Sequence, residues 1–222
     1  MNENQNTRMK RLRKSEVFLF IIVLIAFVIS VYFYPKLPEK VASHWNSKGE
    51  VDGYTSKFFG LFFLPITLAG LDLLFAIIPR IDPLKENIEK FRKYYDGFVV
   101  LFSIYMVVIH LQVILWNIGI KVNPAVLIAI GMGILLFYIG ILCENSKRNW
   151  FIGIRTPWTL SSDAVWEKTH RAGGKLFKIA GIISIVGAFF QKYAIFFIII
   201  PVVAVAIYVI VYSYIEYQKE KR

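Results

Sequence analysis

Hydrophobic positions along this chain fall in uninterrupted blocks, at 17–34, 58–79, 97–120, 125–143, 176–190 and 194–215, with polar stretches between them. Neither helical nor alternating spacing dominates. Runs of this kind read as membrane-spanning helices, because about 20 residues rising about 1.5 Å each cross a hydrocarbon core of about 30 Å. The fifth block is the shortest: only 179–190 is free of charge, which leaves Lys175, Lys178 and Lys192 to snorkel toward the interfaces. The expected fold is all-α and polytopic, with six transmembrane helices.

Two polar segments are large enough to carry recognition. The first follows Pro35 and Pro38, which stop the first helix, and contains two turn signals, Asn46 to Gly49 and Asp52-Gly53. His44, Trp45, Asn46, Gly49, Asp52, Gly53 and Tyr54 mix aromatic rings with hydrogen-bonding groups and glycine. That mixture suits a face binding an amphipathic peptide, and it equally suits an interfacial belt with Trp45 and Tyr54 at the headgroups.

The second polar segment, 149–174, holds three of the five tryptophans, Trp150, Trp158 and Trp166. Thr156-Pro157 forces an extended or turn conformation there. Ser161, Ser162 and Asp163 are N-cap candidates for a short helix reaching Arg171, with Gly173-Gly174 expected to end it. Trp166, His170 and Gly173 would share one face of that helix, with Glu167, Lys168 and Arg171 elsewhere. An amphipathic helix under the bilayer and a docking surface for a cytoplasmic partner both fit.

Composition is 57% hydrophobic with a net charge of +11. The charge is topology: 20 of the 26 Lys and Arg lie in the N-terminal tail, the second and fourth connections and the C-terminal tail. By the positive-inside rule both termini are cytoplasmic, and no nucleic acid need be invoked. The first block has a basic flank but no cleavage pattern, so it reads as an uncleaved signal anchor. The expected units are a basic tail at 1–16, a two-helix unit at 17–96 with its outer loop at 35–57, and a four-helix unit at 97–222 with its inner loop at 144–175.

Within the membrane, Asp72 is the costly residue, since an ionised carboxylate at the bilayer centre costs at least about 2.5 kcal/mol unless it is neutral, paired or hydrated. Counting along the helices puts Ser103 or Tyr105 within reach of it. Asp72, Tyr105 and His110, with Gln112 and Asn117, form either a polar interior track or hydrogen bonds that glue helices together. The three histidines, His44, His110 and His170, fall at three depths, so no metal site is expected. No phosphate loop, Ser/His/Asp set or carboxylate pair is present, which argues against an enzyme and against a cofactor. The lone Cys143 has no partner within the chain for a disulfide.

The run RNWFIGIRTPWTLSSDAVWEKTHRAGGKLF resembles the signature of the SdpI family of membrane immunity proteins. The run PKLPEKVASHWNSKGEVDGYTSKFFGLFFLP resembles the small domain of unknown function that precedes it in longer members. The resemblance implies a six-helix protein of the cell membrane that confers resistance to a secreted peptide toxin. It also implies a receptor that captures a cytoplasmic repressor once toxin is bound. Asn149, Trp150, Gly153, Arg155, Thr156, Pro157, Trp158, Thr159, Trp166, Thr169, His170 and Gly173 belong to that cytoplasmic signature. The alternative is a small secondary transporter or export factor using Asp72 and His110.

Overall fold

The apolar blocks become long helices because the backbone can satisfy its own hydrogen bonds in a bilayer only in that form. A computed structural model of the chain describes residues 13–46 and 49–222; most of the basic tail, with Arg8, Lys10 and Arg11, and also Ser47 and Lys48 lie outside them. The long helices are α1 (Lys14–Phe33), α2 (Lys57–Ile81), α4 (Arg92–Asn117), α5 (Pro124–Asn145), α7 (Asp163–Gly187) and α8 (Ala194–Glu220). Short α3 (Lys85–Lys90) and α6 (Pro157–Ser161) lie in the inner connections. Here "inner" denotes the Lys/Arg-rich end. Among the described residues, five helical stretches are long and apolar enough to cross a membrane, the last being Asp163–Glu220, which a 3₁₀ turn at Ala188–Tyr193 folds into α7 and α8. The chain is thus an all-α, multi-pass membrane protein. Large apolar side chains face outward, as with Phe20 at 67%, Leu73 at 62% and Ile200 at 62% exposure, which suits lipid contact.

Helix starts follow the local rules. Asn123 caps α5 by accepting from Ala125 N, with Pro124 in the first turn, and Ser162 caps α7 by accepting from Val165 N. Gly173-Gly174 does not end a helix: α7 runs through both as far as Gly187. Their missing side chains serve packing instead, because α5 crosses directly over Gly174 while Val209 and Ile154 cover Gly173. Further along the same antiparallel pair, Gly181 abuts Gly133, and Ser184 donates to the Ala129 carbonyl at 2.8 Å. α7 therefore follows α5 along its length, as a spanning helix must.

The outer loop contains two strands that turn signals alone did not announce. β1 (Lys40–Trp45) pairs antiparallel with β2 (Val51–Ser56), with irregular register around His44. Of the turn expected at Asn46 to Gly49, Ser47 and Lys48 lie outside the described residues; Gly49 has φ 79° and its N–H donates to the Asn46 carbonyl. The turn expected at Asp52-Gly53 does not form, since both residues lie within β2. Gly53 stands opposite His44, where a Cβ would come within 2.9 Å of the His44 Cβ. Close strand approach, not a turn, requires glycine at that position.

The expected interior track is divided among separate partners. Asp72 accepts a hydrogen bond from Ser103 at 2.7 Å, and Tyr105 packs over Gly131 on α5. His110 meets Ser30 at 2.9 Å, at a point where Ser30 also reaches the Leu61 carbonyl and so joins α1, α2 and α4. Each contact holds helices together.

Candidate functional site

At the outer end, Asn117 of α4 grips β1 from both sides of one residue, accepting from Ala42 N at 2.8 Å and donating to Ala42 O at 3.0 Å. This seats the hairpin on the helices. His44 and Asp52 pair at 2.5 Å across the two strands, and Asn46 is bonded to Glu50. Trp45 packs edge-on to Trp116, with ring centroids 5.4 Å apart. Tyr54 is 66% exposed and stands apart from this cluster.

Between hairpin and helices lies a cleft of about 370 Å³. His44, Trp45 and Asn46 line it from the hairpin, Ile109 and Gln112 from α4, and Pro124, Ala125 and Ile128 from α5. Gln191, Lys192, Ala194, Ile195 and Ile198 close it from the 3₁₀ turn and α8. The cleft joins the outer loop to the C-terminal helices. Of the outer residues expected at a site, His44, Trp45 and Asn46 reach the cleft; Asp52 and Gly53 support His44, and Gly49 lies near Asn123. Gln112 is the wall residue that sequence reasoning assigned elsewhere. The available signal was its spacing, one turn before Trp116 on α4.

At the inner end the segment after α5 folds around Asn149, which is fully buried. Its side chain donates to the Lys147 and Ile152 carbonyls and accepts from the N–H groups of Phe151 and Ile152. The turn then passes through Gly153 at φ 109°, where a Cβ would lie 2.5 Å from His170 Nε2. Ile154 N–H donates to that nitrogen at 2.8 Å, so His170 is the neutral tautomer with Nδ1–H donating to the Trp166 carbonyl at 2.8 Å. The His170 and Trp166 rings stack 3.9 Å apart. Next, Thr156 caps α6, and Thr159 Oγ1 donates to the Ile154 carbonyl at 2.8 Å.

This arrangement reverses one expectation. The Trp166 and His170 face turns inward, 2% and 1% exposed, and packs the loop; it offers no docking surface. Thr156, Thr159, Thr169 and Gly173 are buried with it. What remains outside is Trp150 at 51% and Phe151 at 39% exposure, with Arg155 and Pro157, while Trp158 is half-buried against Tyr214. Arg155 donates to the Trp150 carbonyl at 2.8 Å, which ties the guanidinium to the main chain of the loop. The connection after α2 buttresses the loop: Asp82 accepts from Trp150 N, and Asn87 donates to the Arg148 carbonyl.

α8 connects the two ends. Ala194, Ile195 and Ile198 stand on the outer cleft. About 30 Å along the same helix, Ser213 bonds Thr156 at 3.0 Å, Tyr214 meets Trp158, and Glu216 pairs with Lys168 at 2.8 Å. Pro201 lies between them and removes one helical hydrogen bond.

Residues 145–213 match the SdpI/YfhL protein family, and residues 21–69 match Domain of unknown function (DUF1648). The curated protein Immunity protein SdpI of Bacillus subtilis (strain 168) is 28% identical over 207 residues, covering 93% of this chain and 97% of that relative. No solved structure matches the chain.

Proposed function

Because the chain carries an SdpI/YfhL family domain behind a DUF1648 unit, we propose that it is an immunity protein of the cell membrane that protects its host against a secreted peptide toxin. The toxin engages the outer cleft at His44, Trp45 and Asn46. In the same reading the protein is a receptor: bound toxin shifts α8, and the inner loop then captures a cytoplasmic repressor through Trp150, Phe151 and Arg155. The observation that supports this coupling is the single helix that lines the cleft at one end and holds Thr156 and Trp158 at the other. The separate local partners of Asp72 and His110 favour this binding reading over transport along a track.

Expression in toxin-sensitive cells, at matched membrane levels, tests the first part. Survival is expected; death at equal expression would refute immunity to that toxin. The second part is tested by replacing Trp150 and Arg155 together with alanine. Both side chains project outward, so folding and protection are expected to persist while repressor recruitment to membranes falls at least about tenfold. Loss of protection along with recruitment would end this division of labour.

A further inference from the structure

At the inner end, α5 and α7 leave a polar hollow of about 370 Å³ between them. Lys147, Arg171 and Lys175 line it, and all three are exposed. Among the described residues their neighbours are paired, Arg148 with Asp163, Lys168 with Glu216 and Lys178 with Glu144, whereas these three make no ion pair. Two carboxylates also face the hollow. Glu144 is neutralised by Lys178 at 2.7 Å, which leaves Glu167 alone against the three cations. Toward the bilayer the surface turns apolar. Lys175, Ile179, Ile182 and Val186 recur at helical spacing along one exposed face of α7, and Glu144, Phe137, Ile134 and Ile130 do so along one face of α5. The Lys178 and Glu144 pair joins the two faces, so both border one seam that leads from the hollow into the hydrocarbon.

We propose that this hollow binds the phosphate headgroup of an anionic phospholipid of the inner leaflet, whose acyl chains lie along the seam between α5 and α7. Arg171 presents a planar set of N–H donors that suits phosphate oxygens, and Lys147 and Lys175 add point charges. Lys175 stands one helical turn, about 6 Å, before the first exposed isoleucine of α7, a spacing that puts the phosphate at the edge of the hydrocarbon. Basic hollows between spanning helices at the cytoplasmic face take anionic headgroups for this reason. Phosphatidylcholine carries a cation of its own, which the three side chains repel. The apolar rows favour a lipid over a soluble phosphate ester or an acidic protein segment, since neither of those would cover them. The hollow shares no lining residue with the outer cleft and the inference does not rest on the immunity reading.

The test uses full-length protein, stripped of lipid in a neutral detergent, titrated with phosphatidylglycerol or phosphatidylcholine and read by native mass spectrometry. Native protein is expected to hold phosphatidylglycerol at least about tenfold more tightly than phosphatidylcholine, and less tightly as salt is raised. The triple variant Lys147→Gln, Arg171→Gln and Lys175→Gln should weaken phosphatidylglycerol binding at least about tenfold, the weight of one charge-assisted hydrogen bond. A matched control, Lys85→Gln with Lys90→Gln and Lys93→Gln, removes three cations from the same end of the molecule and is expected to bind as native protein does. Equal loss in the two triples would mean diffuse attraction to charge and overturns the proposal, as does equal affinity for the two lipids. Arg171→Gln alone changes one exposed side chain that makes no ion pair, so it keeps the test open if the triple does not fold; it should bind measurably more weakly, and unchanged binding there also overturns the proposal. Glycerol 3-phosphate at millimolar strength is expected to leave the lipid in place. Displacement by it at the lipid's own strength would assign the hollow to a soluble phosphate ester, and displacement by a glutamate-rich peptide that itself fails to bind the first triple would make it a protein-docking face; either result removes the lipid.

Discussion

Replacing Gly174 by leucine is expected to leave almost no folded protein in the membrane. A Cβ at this position lies 2.5 Å from the Glu144 Cγ and 2.7 Å from the Gly140 carbonyl oxygen, and the second is main chain that cannot rotate away. Gly181 is in the same situation against the Gly133 carbonyl and the Phe137 N–H. The α5 and α7 axes would have to separate along their whole interface, breaking the Ser184 bond to Ala129 and the Lys178 pair with Glu144. Overpacking of this kind costs typically about 1–3 kcal/mol for added methylenes, and a leucine against backbone lies at or beyond the upper end. Helix association in lipid depends on close packing and hydrogen bonds, with no hydrophobic drive to compensate. The control is Gly70→Leu, where nothing lies within 4 Å. Membrane yield and gel-filtration profile should be near normal for Gly70→Leu and collapse for Gly174→Leu; equal behaviour would show that the glycine contact is not required.

The second large effect is expected from Asn149→Leu. Its four hydrogen bonds close the turn from Lys147 to Ile152, and with the amide gone two N–H groups and two carbonyls lose their partners. An unmatched buried group costs about 1–3 kcal/mol, so even partial hydration leaves a loss of several kcal/mol. The loop then releases Gly153 from His170 and Thr156 from Ser213. Rapid tryptic cleavage at Lys147, Arg148 and Arg155 is expected in inside-out vesicles, with the spanning helices still resistant. Asn149→Asp keeps the two accepted bonds and forfeits the two donated ones, so its cleavage rate should fall between native and leucine. If the leucine variant resists trypsin as native protein does, Asn149 does not organise the loop.

Much of this was legible along the chain. The block lengths gave the spanning helices, and Ser162, one of the N-cap candidates, starts α7 by accepting from Val165 N; Thr156-Pro157, expected to be extended or a turn, instead opens the short helix α6 with Thr156 as its cap. Asp72 announced a need for a partner, and Ser103 is that partner. The aromatic spacing of Trp166 and His170 correctly placed them on one face, yet the direction of that face was open. In the outer loop Asp52-Gly53 carried turn chemistry but served strand pairing, because a glycine signal reports only that a side chain is not tolerated.

The sequence by itself determined the number and length of the apolar helices, the end of the bundle that carries the positive charge, the capped start at Ser162 and the signature segment. All of these rest on local hydrogen bonding, rise per residue and the cost of moving charge across lipid, which act on neighbours in the chain. Only the tertiary structure decided that Gly173-Gly174 packs instead of stopping a helix, that Trp166 and His170 turn inward, and that Gln112 meets Trp45 in one cleft. In a bilayer the lipid-facing and core-facing sides of a helix are both apolar, so hydrophobic pattern does not reveal which way a helix is rotated. Rotation is settled by where small residues allow backbones to touch and where buried polar groups find partners, and those are relations between distant parts of the chain.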